Sequence, residues 1–477
     1  MRFRGRGADL GLLDEQLRSV AEGRGATRGR AVIMTGRRRV GKSRLVQEFC
    51  DRSGLPYVLF QATRGRNAAA ERADFVSAVV SAPLANAELV AGLATADWNQ
   101  ALRTAALAAA DDTPSLVVID EVPWLVEQDS EFEGALQTIW DRYLSAKPVL
   151  LLLVGSDLSV MEALQSRDRP FFGRATKMTV QPLHLADVQE MTDLSPAEAV
   201  DALLITGGFP EIIQSWRPGS SRPEFLAEAL SNPLAPLLVA GELSLLGEFP
   251  ESSRSRAVLE AIGSGERTHG TIAAQAGNSG ALPAGTLSPI LNTLQAKRIV
   301  AADLPLSTAS DTKNKRYRVA DSYLRFWLAC LERAIPLTER GRSDLALARV
   351  ERSWASWRGR AVEPFVRESL ERLLPDEHWP QVEAVGGWWN RQNNPEIDLV
   401  GTDRRPVAGE VVFVGSIKWL EDRPFDRHDY DALARSVLAV PGAASTTPLI
   451  AVSCSGTAPD LPLAMAWGPD DLLRAWR

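Results

Sequence analysis

Gly36-Arg37-Arg38-Arg39-Val40-Gly41-Lys42-Ser43 sets two glycines, a lysine and a hydroxyl within eight residues. The chemistry open to such a set is the holding of phosphate. Glycines let backbone N–H groups turn inward onto phosphate oxygens. Lys42 places a compact positive charge on the β- and γ-phosphates, and Ser43 offers an oxygen to Mg²⁺. The apolar run Ala31-Val32-Ile33-Met34 precedes the loop and a helical pattern starts near Arg44. Strand, loop and helix in that order complete the phosphate-loop pattern, with the positive end of the helix facing the anion. ATP and Mg²⁺ are the expected ligands, cradled by residues 36–44.

A second apolar run, Leu116-Val117-Val118-Ile119, ends in Asp120-Glu121. Consecutive β-branched and Leu residues predict a strand buried on both faces of a parallel sheet. Carboxylates at its C-terminal end sit where open α/β sheets bind ligands. Asp120 is expected to hold Mg²⁺ through water, and Glu121 to orient or deprotonate the attacking water. A third run, Val149 to Val154, ends in Gly155-Ser156-Asp157. Two readings stand for that tip: Ser156 or Asp157 as a γ-phosphate sensor, or a cap for the helix starting at Leu158.

Only seven of the 53 basic residues are lysine. Arginine fills nearly every generic basic position, so a retained lysine such as Lys42 or Lys418 invites a reason, because a point charge and a planar fork are not interchangeable at a tight site. At 477 residues the chain has room for about three domains. Its net charge of −7 argues against a protein built wholly to grip nucleic acid. Three scattered cysteines and four histidines predict no zinc site and a reducing compartment. No apolar segment reads as a signal peptide or a membrane span, so a cytoplasmic chain without a membrane partner is expected.

With these motifs in place, the chain resembles the AAA-type ATPases described first from archaea, near the signal-transducing switch ATPases. Phe3-Arg4-Gly5-Arg6, followed by Leu10 and Leu13, resembles the opening box of that family, with Gly7 where an acidic residue is usual. Ile119 to Leu125 resembles its second motif. Pro170-Phe171-Phe172-Gly173-Arg174 resembles the stretch bearing a family arginine, and Gly207-Gly208-Phe209-Pro210-Glu211 the motif of its helical lid. The resemblance spans essentially the whole chain. It implies that Arg174 is either an arginine finger on the transferred phosphoryl group or a structural arginine. Such engines often form rings, so a homo-oligomer is one expectation; small assemblies and monomers are others.

Residues 257–262, 271–277 and 287–299 read as three helices, followed by strands at 300–303 and 316–319. Three helices and a hairpin make a winged helix. Lys313, Lys315, Arg316 and Arg318 on the wing, with Asn292, Gln295, Lys297 and Arg298 on the third helix, are its candidates for DNA; a protein partner is the alternative reading.

From about residue 336 the chain resembles the C-terminal domain carried by these ATPases, which is similar to restriction endonucleases. The resemblance maps a helical Glu onto Glu363, a strand Asp onto Asp398 and a Glu-x-Lys onto Ser416-Ile417-Lys418. Ser416 replaces a carboxylate, which weakens a Mg²⁺ site that wants hard anionic oxygens. Glu410 lies about 20 Å along the strand at ~3.3 Å per residue, too far to replace it, and Glu396 is nearer. Trp388, Trp389 and Trp419 are candidates for base stacking or for core.

The expected class is α/β: a P-loop ATPase with a parallel sheet over residues 1–180, a helical lid over 181–250, a winged helix over 251–335 and a degenerate nuclease-like domain over 336–477. The expected function is an ATP-driven switch coupled to a DNA- or protein-binding region. The alternatives are an ATP-gated, Mg²⁺-dependent DNA endonuclease and a nucleotide-binding regulator without turnover.

Overall fold

A computed structural model describes residues 3–24, 27–93, 95–248, 253–277 and 280–477. The expected boundary between lid and winged helix, at 250 and 251, lies outside the described residues. The chain divides into two compact units, residues 1–182 and 183–477.

In the first unit, helix α1 (Gly7–Ala21) leads to β1 (Arg30–Thr35) and α2 (Lys42–Ser53). There follow β2 (Tyr57–Gln61), α3 (Ala68–Ser81), α4 (Trp98–Ala108), β3 (Ser115–Asp120), α5 (Val122–Gln128) and α6 (Phe132–Arg142). The unit ends with β4 (Val149–Val154), α7 (Leu158–Ala163) and β5 (Thr176–Thr179). The five strands are all parallel, in the order β2-β3-β4-β1-β5. Every residue of β3 and β4 is buried, as continuous apolar runs require when helices cover both faces. On one face Phe60, Phe75, Trp98 and Phe132 form an edge-to-face chain with centroids 5.1–6.1 Å apart. On the other, α1 packs on β1 and β4. Because β1 lies between β4 and β5, the loop leaving it opens beside the ends of β3 and β4, at the crevice where such sheets take ligands.

The second unit begins with five helices: α8 (Leu185–Thr192), α9 (Pro196–Thr206), α10 (Pro210–Gln214), α11 (Arg222–Ser231) and α12 (Pro236–Glu248). Ser195 and Glu198 form a capping box at the start of α9, and Gly207 ends it in a left-handed conformation. Next come α13 (Ser253–Gly263), α14 (His269–Ala276) and α15 (Ala284–Ala296), then the antiparallel hairpin β6 (Val300–Asp303) and β7 (Arg316–Val319). Helix α16 (Ser322–Phe326) runs into a π-turn at Trp327–Leu331, then α17 (Ile335–Glu339) and the 31-residue α18 (Ser343–Leu373). The remaining elements are β8 (Ala384–Trp389), β9 (Glu396–Thr402), β10 (Val411–Lys418), α19 (Arg427–Ser436), β11 (Leu449–Ser453), β12 (Met465–Trp467) and α20 (Pro469–Arg474). Their sheet has the order β12-β11-β10-β9-β8, antiparallel on the β8 side of β10 and parallel on the other. The molecule is therefore α/β, with a central parallel sheet and an additional C-terminal α/β region. Among the described residues no single helix is long and apolar enough to cross a membrane.

The loop between β6 and β7 is tied down. Leu306 N–H donates to the Gly387 carbonyl at 2.9 Å, and Trp389 Nε1 donates to the Asn314 carbonyl at 2.9 Å. Arg316, 6% exposed, pairs with Glu396 and lies 4.2 Å from the Trp389 ring centroid. Arg318 pairs with Asp303 at 2.9 Å. The basic cluster expected on a wing is thus half committed to internal carboxylates; Lys313 and Lys315 stay exposed. Trp388, Trp389 and Trp419 are buried to 7%, 4% and 3% exposure, which settles them as core rather than stacking platforms.

Candidate functional site

The loop between β1 and α2 has the conformation its glycines permit. Gly41 caps α2 at φ 90°, a region closed to most side chains. A Cβ on Gly36 would lie 2.5 Å from the Val180 carbonyl oxygen. Arg39, between them, also has positive φ, 66°. Val40 is wholly buried, whereas Ser43 and Arg44 are exposed; Arg44 pairs with Glu48 at 3.2 Å along the helix. Arg37 and Arg38 are half-buried, and Arg38 lies 5.9 Å from the Trp124 ring centroid, which Arg64 also faces at 5.1 Å.

Lys42 is 6% exposed, and its Nζ donates to the Gly36 and Arg37 carbonyls at 2.8 and 2.9 Å. Its ammonium therefore sits inside the loop. Burial lowers its pKa to about 8, against the opposing pull of Glu121 and Asp120. Ser43 Oγ donates to Asp120 Oδ2 at 2.6 Å. Asp120 Oδ1 accepts the Glu121 N–H at 2.8 Å. Glu121 has φ 56° and ψ 41°, which turns it off the line of β3 at the start of α5. Burial, and then the charge of Asp120, push its carboxyl above the usual carboxylate range. Ser156 Oγ donates to both Glu121 carboxylate oxygens, at 3.2 and 3.3 Å. Asp157 takes the other role considered for that tip: its Oδ1 accepts the Ser159 and Val160 N–H groups and caps α7.

The tips of β1, β3 and β4 thus bring together Lys42, Ser43, Asp120, Glu121 and Ser156. A cation, a hydroxyl and two carboxylates at these positions suit a metal-chelated polyphosphate, with Ser43 and Asp120 on the metal. One contact escaped the reading of the sequence. Arg6, 8% exposed and at φ 65°, donates from Nη2 to the Val40 carbonyl at 2.6 Å and from Nη1 to the Gln181 carbonyl. It braces the phosphate loop from outside. Its setting beside Gly5 and Gly7 was the available signal.

Arg174 is not gathered with this group. Its Nε and Nη2 grip the two Asp141 oxygens at 2.8 and 2.7 Å, and Nη1 donates to the Pro170 and Phe172 carbonyls. These contacts fit the second of its two readings, a structural arginine, in this arrangement.

In the second unit Asp398 and Ser416 are brought together, whereas Glu363 and Lys418 are held by other partners. Arg367 donates to Glu363 at 3.1 Å and to the Asp398 carbonyl at 2.9 Å, so a guanidinium lies where the two acids approach. Asp398 Oδ2 accepts the Ser416 hydroxyl at 2.9 Å and the Ile417 N–H at 2.8 Å. Burial raises the pKa of both Glu363 and Asp398. Lys418 turns to Asp429 at 2.7 Å. Glu410 precedes β10, and Glu396 is bound by Arg316. Among the described residues no three acidic, His or Cys side chains form a group that could hold a metal.

Residues 327–429 match a family described as archaea bacterial proteins of unknown function. An uncharacterized protein of Methanocaldococcus jannaschii is 23% identical over 320 residues, which is 66% of this chain and 70% of that protein. Among solved structures, a Walker-type ATPase of Pyrococcus abyssi is similar at 18% identity and a TM-score of 0.49, over 68% of this chain and 96% of that one. The ORC2 protein of Aeropyrum pernix, in its ADPNP-ADP complexes, is similar at 14% identity and a TM-score of 0.44, over 72% and 95%. Cdc6p from Pyrobaculum aerophilum follows at 13% identity and a TM-score of 0.36, over 72% and 96%.

Proposed function

We propose that the chain is an ATP-binding, ATP-hydrolysing switch whose nucleotide state is coupled to the region beyond residue 182. One observation carries the reading: Lys42, Ser43, Asp120 and Glu121 converge from two strand ends beside a loop bent at Gly36 and Gly41. In this proposal residues 36–44 hold the phosphates. Ser43 and Asp120 hold Mg²⁺, and Glu121, tethered by Ser156, takes the proton of the attacking water. Turnover is slow, because Arg174 is committed to Asp141 and a finger would come from a second subunit or a partner.

Helices α8–α12 serve as a lid, and α13–α15 with β6 and β7 as a winged helix. The region from 336 serves as a nuclease-like scaffold that contacts DNA or a protein without cutting. The occupied carboxylates and Lys418 favour a scaffold over an endonuclease. The test is phosphate release from Mg²⁺-ATP by the wild type and by Glu121→Gln, each with and without duplex DNA. Release that needs Glu121 supports the switch. Bound ATP with no release favours a regulator without turnover. Metal-dependent nicking of plasmid DNA that Asp398→Ala abolishes would instead establish the endonuclease.

A further inference from the structure

Between α13, β7, α16, the π-turn and α18 lies a cavity of about 210 Å³. Four arginines line it: Arg267, Arg318, Arg325 and Arg360. Two of them have carboxylate partners, Arg267 with Glu396 at 3.5 Å and Arg318 with Asp303 at 2.9 Å. Among the described residues no carboxylate pairs with Arg325 or Arg360. Arg325 Nη2 donates to the Arg360 carbonyl at 3.1 Å, and Arg360 Nη1 lies 3.7 Å from where a Cβ on Gly265 would stand. Glu363, an acid whose charge acts on Arg325, is already bound by Arg367.

Trp357, 6% exposed, also lines the cavity. The cavity thus has two guanidinium groups without carboxylate partners, Arg325 half-buried and Arg360 exposed, and room for a phosphate-sized group rather than a duplex. Planar guanidinium forks suit phosphate oxygens.

We propose that this cavity is a binding site for a small phosphorylated ligand, a compact anion of at least two charges, held by Arg325 and Arg360. Consistent with this, burial and the three neighbouring arginines lower the pKa of Arg325 to about 10, a strain that an anion relieves. The site does not depend on the nucleotide reading, since every lining residue belongs to the second unit.

The probe is radiolabelled pyrophosphate in equilibrium dialysis against the full chain carrying Lys42→Ala, which disables the phosphate loop. One equivalent is expected to bind. Adding Arg325→Gln and Arg360→Gln is expected to weaken binding by about tenfold or more, the scale of lost charge-assisted hydrogen bonds. No binding to the Lys42→Ala protein overturns the proposal, as does binding that both substitutions leave unchanged. Binding of a duplex oligonucleotide with the same arginine dependence, in place of pyrophosphate, overturns it too.

Discussion

Ser43 Oγ and Asp120 Oδ2 lie 2.6 Å apart, across the gap between the start of α2 and the end of β3. The two oxygens close on one another where a Mg²⁺ ion and its water would sit in the proposed complex. Asp120 also fixes the backbone of Glu121 through its other oxygen. In the proposed function, metal holding and water positioning would be joined through this one carboxylate.

Ser43→Ala and Asp120→Asn should each weaken Mg²⁺-ATP binding while leaving metal-free ATP binding nearly unchanged. Because they act on one metal, the double variant should lose less than the sum of the two, with a coupling of about 0.5–3 kcal/mol. Calorimetric titration with Mg²⁺-ATP and with ATP plus chelator measures all four corners. Strict additivity would separate the two residues.

Glu121→Gln should keep ATP and lose turnover by roughly 10²–10⁴, the usual worth of a positioned general base. Burial and Asp120 raise the Glu121 carboxyl, so the acid limb of the rate profile should fall at a higher pH than an ordinary carboxylate gives. Ser156→Ala removes a hydrogen bond that opposes this rise and should move the limb further up. Single-turnover rates across pH decide it; an acid limb that Glu121→Gln leaves in place belongs to another group.

Lys42 gives a second titration, with the opposite sense. In the free protein its pKa is about 8, and phosphate binds the protonated amine. Below pH 8 the charge is present and affinity is full. Above it the free amine must take up a proton on binding, so affinity should fall, approaching about tenfold per pH unit. Calorimetry at pH 8.5 in two buffers of different ionisation enthalpy should register proton uptake. Equal heats, after correction, would mean that Lys42 stays charged.

That residues 36–41 leave one strand for a helix, and that Asp120 and Glu121 end another, was legible because both segments are contiguous with strands whose apolar runs are unambiguous. The sheet order was not, since it depends on which crossover passes which face. The committed arginines were invisible for a similar reason. Arg174 and Arg316 look like free cations in sequence, and their partners, Asp141 and Glu396, lie 33 and 80 residues away. Local spacing did hold part of one answer: Arg367 stands one helical turn after Glu363, the geometry of an i,i+4 pair. Ser416 stands where the resemblance implies a carboxylate, but its hydrogen bond to Asp398 follows only from the β9–β10 pairing.

Ser416→Glu tests that part of the molecule. It removes the hydroxyl given to buried Asp398 and sets a like charge beside it, so the metal-free protein should lose about 1–3 kcal/mol. Denaturant unfolding with and without Mn²⁺ distinguishes two outcomes. A loss unaffected by Mn²⁺ fits a scaffold closed by Arg367, and recovery in Mn²⁺ that Asp398→Ala abolishes would show a latent metal site.

Asp201 on α9 and Arg358 on α18 form a bidentate pair at 2.6 and 2.7 Å, each side chain only 5% exposed. Arg358 also donates to the Trp419 carbonyl at 3.3 Å and reaches Glu421 at 3.2 Å, so one guanidinium ties α9 to α18 and to the end of β10. A buried ion pair costs much desolvation and returns little net stability, yet loss of one partner strands the other charge. Arg358→Met should therefore cost about 3–5 kcal/mol. The double variant Asp201→Leu/Arg358→Met, with no charge left to strand, should recover most of that loss. If Arg358→Met and the double variant unfold at the same urea concentration, the cost lies in the lost contacts to Trp419 and Glu421. If the double variant recovers, the pair acts mainly to fix how α9 meets α18, the role the proposed switch requires of a joint between its lid and its C-terminal region.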